Sequence, residues 1–184
     1  MMVVVQILEL VALMVLLGLL IVYAIYQSVP KRIGYIPLPR RCVGAVVEAL
    51  VVPDDTNALL VDLGCGDGRI LAVALRAHPK LRVLGVEINP PVALLARWRL
   101  RKLSGRAHII RGDLFEADLH KATHVFAYLN NELMAALEPK LSKELPKGSR
   151  LVSCDFPLPT RKPSKTLKIG EAWQLGQTLY IYEY

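Results

Sequence analysis

Charge is missing from one long stretch of this 184-residue chain, and that absence divides the sequence in two. No Asp, Glu, Lys or Arg occurs between Leu10 and Tyr26. The run VVVQILELVALMVLLGLLIVYAIY, Val3 to Tyr26, rises about 1.5 Å per residue as a helix and so spans a hydrocarbon core of roughly 30 Å. It also lacks the basic start, the short apolar core and the small-residue cleavage site of a secretory signal peptide. Residues 1–28 are therefore predicted to be an uncleaved transmembrane helix, with Gln6 and Glu9 near the outer interface or facing a partner helix; a buried core helix is the alternative that these two polar residues leave. Basic residues are absent before the run, whereas Lys31, Arg32, Arg40 and Arg41 follow it with no acid among them. The positive-inside bias then puts the rest of a single-pass protein on the cytoplasmic side, or on the matrix side of an organelle.

Cysteine is scarce as well. Cys42, Cys65 and Cys154 stand far apart, with no CxxC pair and no neighbouring His, which excludes a disulfide framework and points away from any metal site. There is no internal repeat, low-complexity tract or sign of a second globular domain. What is abundant is positive charge, +7 overall, drawn largely from the residues after the apolar run and from RWRLRKLSGR, Arg97 to Arg106. The first cluster suits anionic lipid headgroups. The second reads as a solvated helix face, with nucleic acid the weaker alternative.

After a basic linker at 29–41, the segment 42–184 alternates β-rich runs with helical patterns, the mark of a parallel sheet covered by helices. Strands are predicted at Ala58–Gly64, Leu81–Asn89, His108–Asp113, Thr123–Leu129 and Ser149–Phe156. Helices are predicted at Arg41–Val52, Arg69–Ala77, Val92–Leu103 and Asn130–Leu145, the last kinked or broken at Pro139. The tail reads as two more strands joined by a tight connection around Gly176.

The stretch VDLGCGDGRI, Val61 to Ile70, places Gly64, Gly66 and Gly68 between a strand and a helix. Residues without Cβ let the backbone turn sharply and approach a ligand, so the loop is expected to touch a nucleoside or phosphate with main chain. The spacing does not match GxGxxG, and the GK[ST] of a P-loop is absent. Glu87, some twenty residues on in GVEINP, stands at a strand end where an acid accepts hydrogen bonds from both ribose hydroxyls.

An acid two residues before the first glycine, Asp62, completes a pattern that resembles motif I of class I S-adenosylmethionine-dependent methyltransferases. More closely, the chain resembles the small membrane-anchored protein-lysine N-methyltransferases related to the mitochondrial enzymes acting on the ATP synthase c subunit and the adenine nucleotide translocase. The residues that carry this are YIPLP (Tyr35–Pro39), DLGCGDGRI, GVEINP, GDLF, VFAYLNNEL and SCDFPLP (Ser153–Pro159), with Leu38 where the family usually has Thr. The resemblance implies a Rossmann-like α/β fold with a mostly parallel seven-stranded sheet. It implies an S-adenosylmethionine site formed by Asp62, Gly64, Cys65, Gly66, Gly68, Glu87, Ile88, Asp113, Leu114 and Tyr128. Asp113 would meet the adenine amino group, and Leu114 and Phe115 the ring.

Methyl transfer is an in-line displacement that asks mainly for positioning, plus removal of a proton if the acceptor is a lysine. Candidates around the acceptor are Tyr128, Asn130 and Asn131 after the fourth strand and Asp155 and Phe156 after the fifth. Asp155 is the first choice for contact with the amine, against the alternative that it caps a loop or pairs with a basic residue; Tyr128 reads as a wall. AYLNNE lacks the Asn/Asp-Pro-Pro-aromatic pattern of adenine methyltransferases. No inserted cap encloses a small substrate, and the anchor favours a lysine on a membrane-associated protein. An RNA or small-molecule methyltransferase and a non-catalytic cofactor-binding module are the alternatives.

Overall fold

The computed structural model describes residues 2–28, 36–53, 58–171 and 173–184, which fall into two compact units. The first carries one helix, α1 (Met2–Ser28). Its stretch Val5–Tyr23, 19 residues with a mean hydropathy of 2.7 and none of it buried, is long and apolar enough to cross a membrane. Lys31, Arg32 and Tyr35 lie outside the described residues.

The second unit, Ile36–Tyr184, is an α/β sandwich. Its elements are α2 (Val43–Leu50), β1 (Leu59–Leu63), α3 (Arg69–Ala77), β2 (Arg82–Glu87), α4 (Pro90–Leu100), β3 (Ala107–Arg111), β4 (His124–Ala127), α5 (Asn131–Glu144), β5 (Arg150–Cys154), β6 (Lys165–Lys168) and β7 (Thr178–Glu183). The seven strands are ordered β3-β2-β1-β4-β5-β7-β6, parallel from β3 to β5, with β7 antiparallel to both its neighbours. The central strands are mostly apolar because both faces are covered, with Asp62 of β1 and Ser153 of β5 buried among them. Along β1, Leu60 joins the core under α2, α3 and α4, whereas Val61 and Leu63 join the core under α5 with Met134, Leu137 and Leu141. That two-residue alternation splits one strand between two cores.

Two expected features take a different form. Helix α5 runs unbroken through Pro139. The missing N–H costs about 3 kcal/mol, and the full burial of Met134, Leu137 and Leu141 on the sheet offsets it. The two final strands are joined by a wide loop rather than a tight turn: residues 169–177 separate them, with Ile169 N and Gly170 N both donating to Gln177 O. Gly176, at φ 72°, lies against Cys42, whose Sγ would stand 2.6 Å from a Cβ there. The loop is wide because it reaches across to the turn before α2.

Gly85 explains the closeness of β2 to its cover. A Cβ at this position would meet Ile109 Cδ1 at 2.6 Å, Cys65 Sγ at 2.7 Å and Leu71 Cδ1 at 2.9 Å. Gly85→Ala is therefore expected to lose about 1 to 3 kcal/mol through overpacking. A thermal melt within a degree of the parent would contradict it.

Candidate functional site

The glycine loop hangs from β2 by its main chain. Gly64 N and Cys65 N both donate to Val86 O, at 2.9 and 3.0 Å, and the turn needs positive φ at Gly64 (78°) and Gly66 (55°). Glu87, the last residue of β2 and only 7% exposed, reaches back across the loop. Its Oε2 accepts from Gly66 N at 2.9 Å and its Oε1 from Asn89 N at 2.8 Å. Each oxygen keeps a second lone pair, so the carboxylate can hold the loop and still accept from a vicinal diol. Gly68 lets α4 come close, its missing Cβ facing Ala96 Cβ at 3.2 Å. Ile88 is half-buried beside these groups in sequence.

Three acids lie close together here. Burial, then the neighbouring charges of Glu87 and Asp67, holds the Asp62 carboxyl well above the usual carboxylate range. Asp67 goes the other way. Burial pushes it up, but hydrogen bonds from Arg69 and the charges of Arg69 and Arg99 outweigh that and hold it below its ordinary value. Arg69 Nε and Nη2 donate to Asp67 at 2.9 and 2.8 Å, and Arg99 Nη2 donates at 2.7 Å. Arg69 Nη1 also donates to Leu38 O at 2.7 Å, tying the segment before α2 to the loop. Leu38 itself is buried in the core, so the hydroxyl usual at that position is replaced by packing.

Cys65 contributes backbone only. Its thiol packs under the loop against Gly85, and burial raises its pKa, leaving a neutral core side chain. After β3, Gly112 N donates to Glu87 O at 3.1 Å, bringing the next turn beside the acid. Asp113 is exposed and accepts from Phe115 N at 2.9 Å, opening the short 3₁₀ turn Leu114–Glu116. Leu114 is buried in the core beneath α5, while Phe115 is half-buried.

At the ends of β4 and β5, the Tyr128 and Phe156 rings lie 6.2 Å apart at 39°. Burial first, and Asp155 next, pushes the Tyr128 phenol up to about 12. Asp155 adopts φ 62°, and its carboxylate accepts three main-chain bonds, from Gly176 N (2.6 Å), Gln177 N (2.8 Å) and Thr178 N (3.1 Å). The same loop is gripped by Arg41 Nη2 on Leu175 O and Cys42 Sγ on Gly176 O, at 2.6 and 3.1 Å. Asn130 is exposed and caps α5, its Oδ1 accepting from Leu133 N at 2.8 Å; Asn131 begins the helix.

These groups gather along the carboxyl ends of β1 to β5, where strand order reverses between β1 and β4 and open α/β sheets hold ligands. A cleft of about 440 Å³ between α2 and the β6–β7 ribbon, lined by Glu48, Arg150, Lys165 and Lys168 among others, contains none of them. The basic stretch is largely spent internally. Arg97 donates to Ile109 O, Arg99 to Asp67, and Arg106 to Leu75 O, His78 O and Leu81 O. It is neither a uniformly solvated face nor a free basic groove. Sequence reasoning passed over Asp67, Arg69, Arg99 and Gly85. Asp67 and Arg69 were visible inside GDGR, but their partner Arg99 lies on another helix.

A positively charged nucleoside suits these groups: the Glu87 carboxylate to accept from a ribose, the buried Asp62 carboxyl beside it, and a main-chain cradle that a Cβ at Gly64 would narrow against Leu129 Cδ2 (3.1 Å). Comparison with known proteins gives the same answer. The model of the ANTKMT methyltransferase domain matches residues 62–165. The chain is 36% identical over 158 residues to a protein-lysine N-methyltransferase of Saccharolobus islandicus, covering 85% of this chain and 96% of that one. It is 34% identical to the mouse adenine nucleotide translocase lysine N-methyltransferase (75% of this chain, 60% of that one). It is 32% identical to the rat lysine N-methyltransferase named for the c subunit of ATP synthase (74% and 62%). The chain thus spans about three fifths of the two rodent relatives. A solved structure from Salinibacter ruber, described as an RNA methyltransferase with S-adenosyl-L-homocysteine, superposes with a TM-score of 0.72 at 34% identity, covering 80% of this chain and 93% of that one. Loop, acids, sheet order and kinship agree, and the chain belongs to the ANTKMT methyltransferase family, with S-adenosylmethionine as its methyl donor.

Proposed function

We propose that the protein methylates a lysine side chain on a membrane-associated protein, with α1 as its anchor and the catalytic unit on the cytoplasmic or matrix side. The observation that carries this reading is the aromatic pair Tyr128 and Phe156 beside Asp155, at strand ends where residues 128–130 lead to α5 and residues 155–164 to β6 with no further element inserted. Such a site admits a side chain extended from a macromolecule. The three named relatives are lysine methyltransferases, two of them named for a translocase and for a component of ATP synthase.

Bound S-adenosylmethionine supplies an electrophilic methyl group, so the protein's task is to hold a neutral amine in line with it. A lysine ammonium has a pKa of about 10.4 and loses its proton more readily where aromatic walls exclude water. Tyr128 and Phe156 form those walls. With its pKa at about 12, the Tyr128 phenol stays protonated at neutral pH and serves as a hydrogen-bonding wall rather than a base. Asp155 acts by holding residues 176–178 in place and by setting a negative charge near the entering ammonium. Asp155→Asn keeps the left-handed backbone accessible but removes the charge and replaces one of the two acceptor oxygens that hold residues 176–178 with an NH2 donor. Steady-state kinetics should show kcat/KM reduced about tenfold, while S-adenosylmethionine affinity is unchanged.

Asp62 makes cofactor binding pH-dependent. Its raised pKa keeps it protonated in the free protein above the ordinary carboxylate value of about 3.9. A cationic ligand favours the ionised form, so binding releases a proton from Asp62 in that window and affinity rises with pH until the raised pKa is passed. Calorimetry near pH 5 in two buffers of different ionisation enthalpy measures the proton. Equal heats would show that Asp62 does not titrate with binding.

The reading is tested by incubating membranes with labelled S-adenosylmethionine and the full chain, then mapping the modified residue by mass spectrometry. Label in lysines of a membrane protein supports it. The Salinibacter ruber neighbour favours a second reading, RNA methylation. Label confined to RNA or to small metabolites would replace the first reading.

A further inference from the structure

Residues 88–112 hold Arg97, Arg99, Arg101, Lys102, Arg106 and Arg111 and no Asp or Glu. Helix α4 buries Ala93, Ala96 and Leu100 against the sheet. Its outward face is not polar. Leu94 is 66% exposed, Leu95 42% and Trp98 61%, with Leu94 and Trp98 one turn apart. Arg101, on the following turn, stacks over the Trp98 ring at 4.3 Å. Lys102 is exposed beside it in sequence. The helix is clipped to the edge strand β3 by Arg97 Nε donating to Ile109 O. Arg111 is exposed and follows Ile109 by two, so it shares the face on which Ile109 packs into the α4 core.

An apolar stripe framed by cations has few uses in a protein's own fold. The fold already employs Arg97, Arg99 and Arg106, Arg101 gives its Nη1 to Trp98 O at 2.8 Å on the exposed surface, and the exposed leucines and tryptophan serve no core. We propose that the outward face of α4 seats in the interface of a bilayer bearing anionic phospholipids, with Leu94, Leu95 and Trp98 at headgroup depth and Arg101, Lys102 and Arg111 on the lipid phosphates. Complementary charge selects this occupant. A second copy of the chain would bring two faces of the same sign together, and the exposed leucines offer nothing to the phosphates of a nucleic acid. A chain that also carries an apolar helix of membrane-spanning length meets such a surface at high local concentration. The face would act with that helix in orienting the catalytic unit, as juxtamembrane cations do.

The chain has two tryptophans, Trp98 and Trp173, which makes the test direct. The full chain with Trp173→Phe is reconstituted into vesicles of phosphatidylcholine alone, or of phosphatidylcholine with phosphatidylglycerol, each prepared with and without brominated acyl chains. The expected result is a blue-shifted Trp98 emission quenched about twofold more by brominated lipid in the anionic vesicles. Arg101→Gln with Lys102→Gln should remove that difference, while S-adenosylmethionine binding, measured in the same samples, is retained. Equal quenching in both lipids, or none, overturns the proposal. So does quenching that depends on protein density rather than lipid charge, which would mark self-association. Protection of Trp98 by an added RNA oligonucleotide alone would assign the face to nucleic acid instead.

Discussion

Glu87→Ala is expected to weaken S-adenosylmethionine binding by roughly 3 kcal/mol, about 150-fold. Two losses combine. On the proposed assignment of Glu87 to the ribose, its hydroxyls lose their acceptor, and Gly66 N and Asn89 N lose the carboxylate that now fixes the loop. The same substitution removes one of the charges that raises Asp62, so the proton released on binding should shrink as well. Titration calorimetry reads both quantities. Unchanged affinity would mean that the ribose lies elsewhere. A weaker affinity with undiminished proton release would separate the hydroxyl contact from the electrostatics of the loop.

Asp67→Asn should have the largest effect on stability among conservative changes at the site. It leaves the Arg69 and Arg99 guanidiniums without their shared anion, and frees the link from Arg69 to Leu38. A fully buried pair broken in this way costs about 3 to 5 kcal/mol. The two arginine side chains are 21% and 34% exposed, so water screens part of that, and about 2 kcal/mol is expected. For a unit of this size that lowers Tm by roughly 4 to 8 °C. The sign with pH follows from the depressed pKa of Asp67. The contribution is complete above the ordinary carboxylate value and is lost as pH falls through the lower folded value, so parent and variant melts converge in acid. A double-mutant cycle with Arg99→Gln should be non-additive. Additive effects would show that the two side chains act independently.

Much of the site was legible because motif spacing and chain order reflect local geometry. A strand entering Gly64, Gly66 and Gly68 and leaving as α3, followed by an acid closing the next strand, needs few long-range facts to read. Asp155 shows the limit. Its partners are the amides of residues 176–178, reached only because β7 inserts antiparallel between β5 and β6. Arg99 shows it again, since a solvated helix face and a partly buried ion pair have the same sequence until α4 packs on the loop. Pro139 was read as a kink or a break, and no break occurs, because local propensity knows nothing of the core that Met134, Leu137 and Leu141 enter.

The amino-acid sequence by itself determined the apolar N-terminal helix, the alternation of strands and helices, the glycine loop and the acids that follow it. Each is written in residues close along the chain, where spacing alone sets direction and reach. Only the tertiary structure decided which charges are spent on the fold, which side chain stabilises the loop before β7, and which helix face is left apolar and basic toward the outside. Those outcomes depend on burial and on partners tens of residues away, and both arise only when the sheet has assembled.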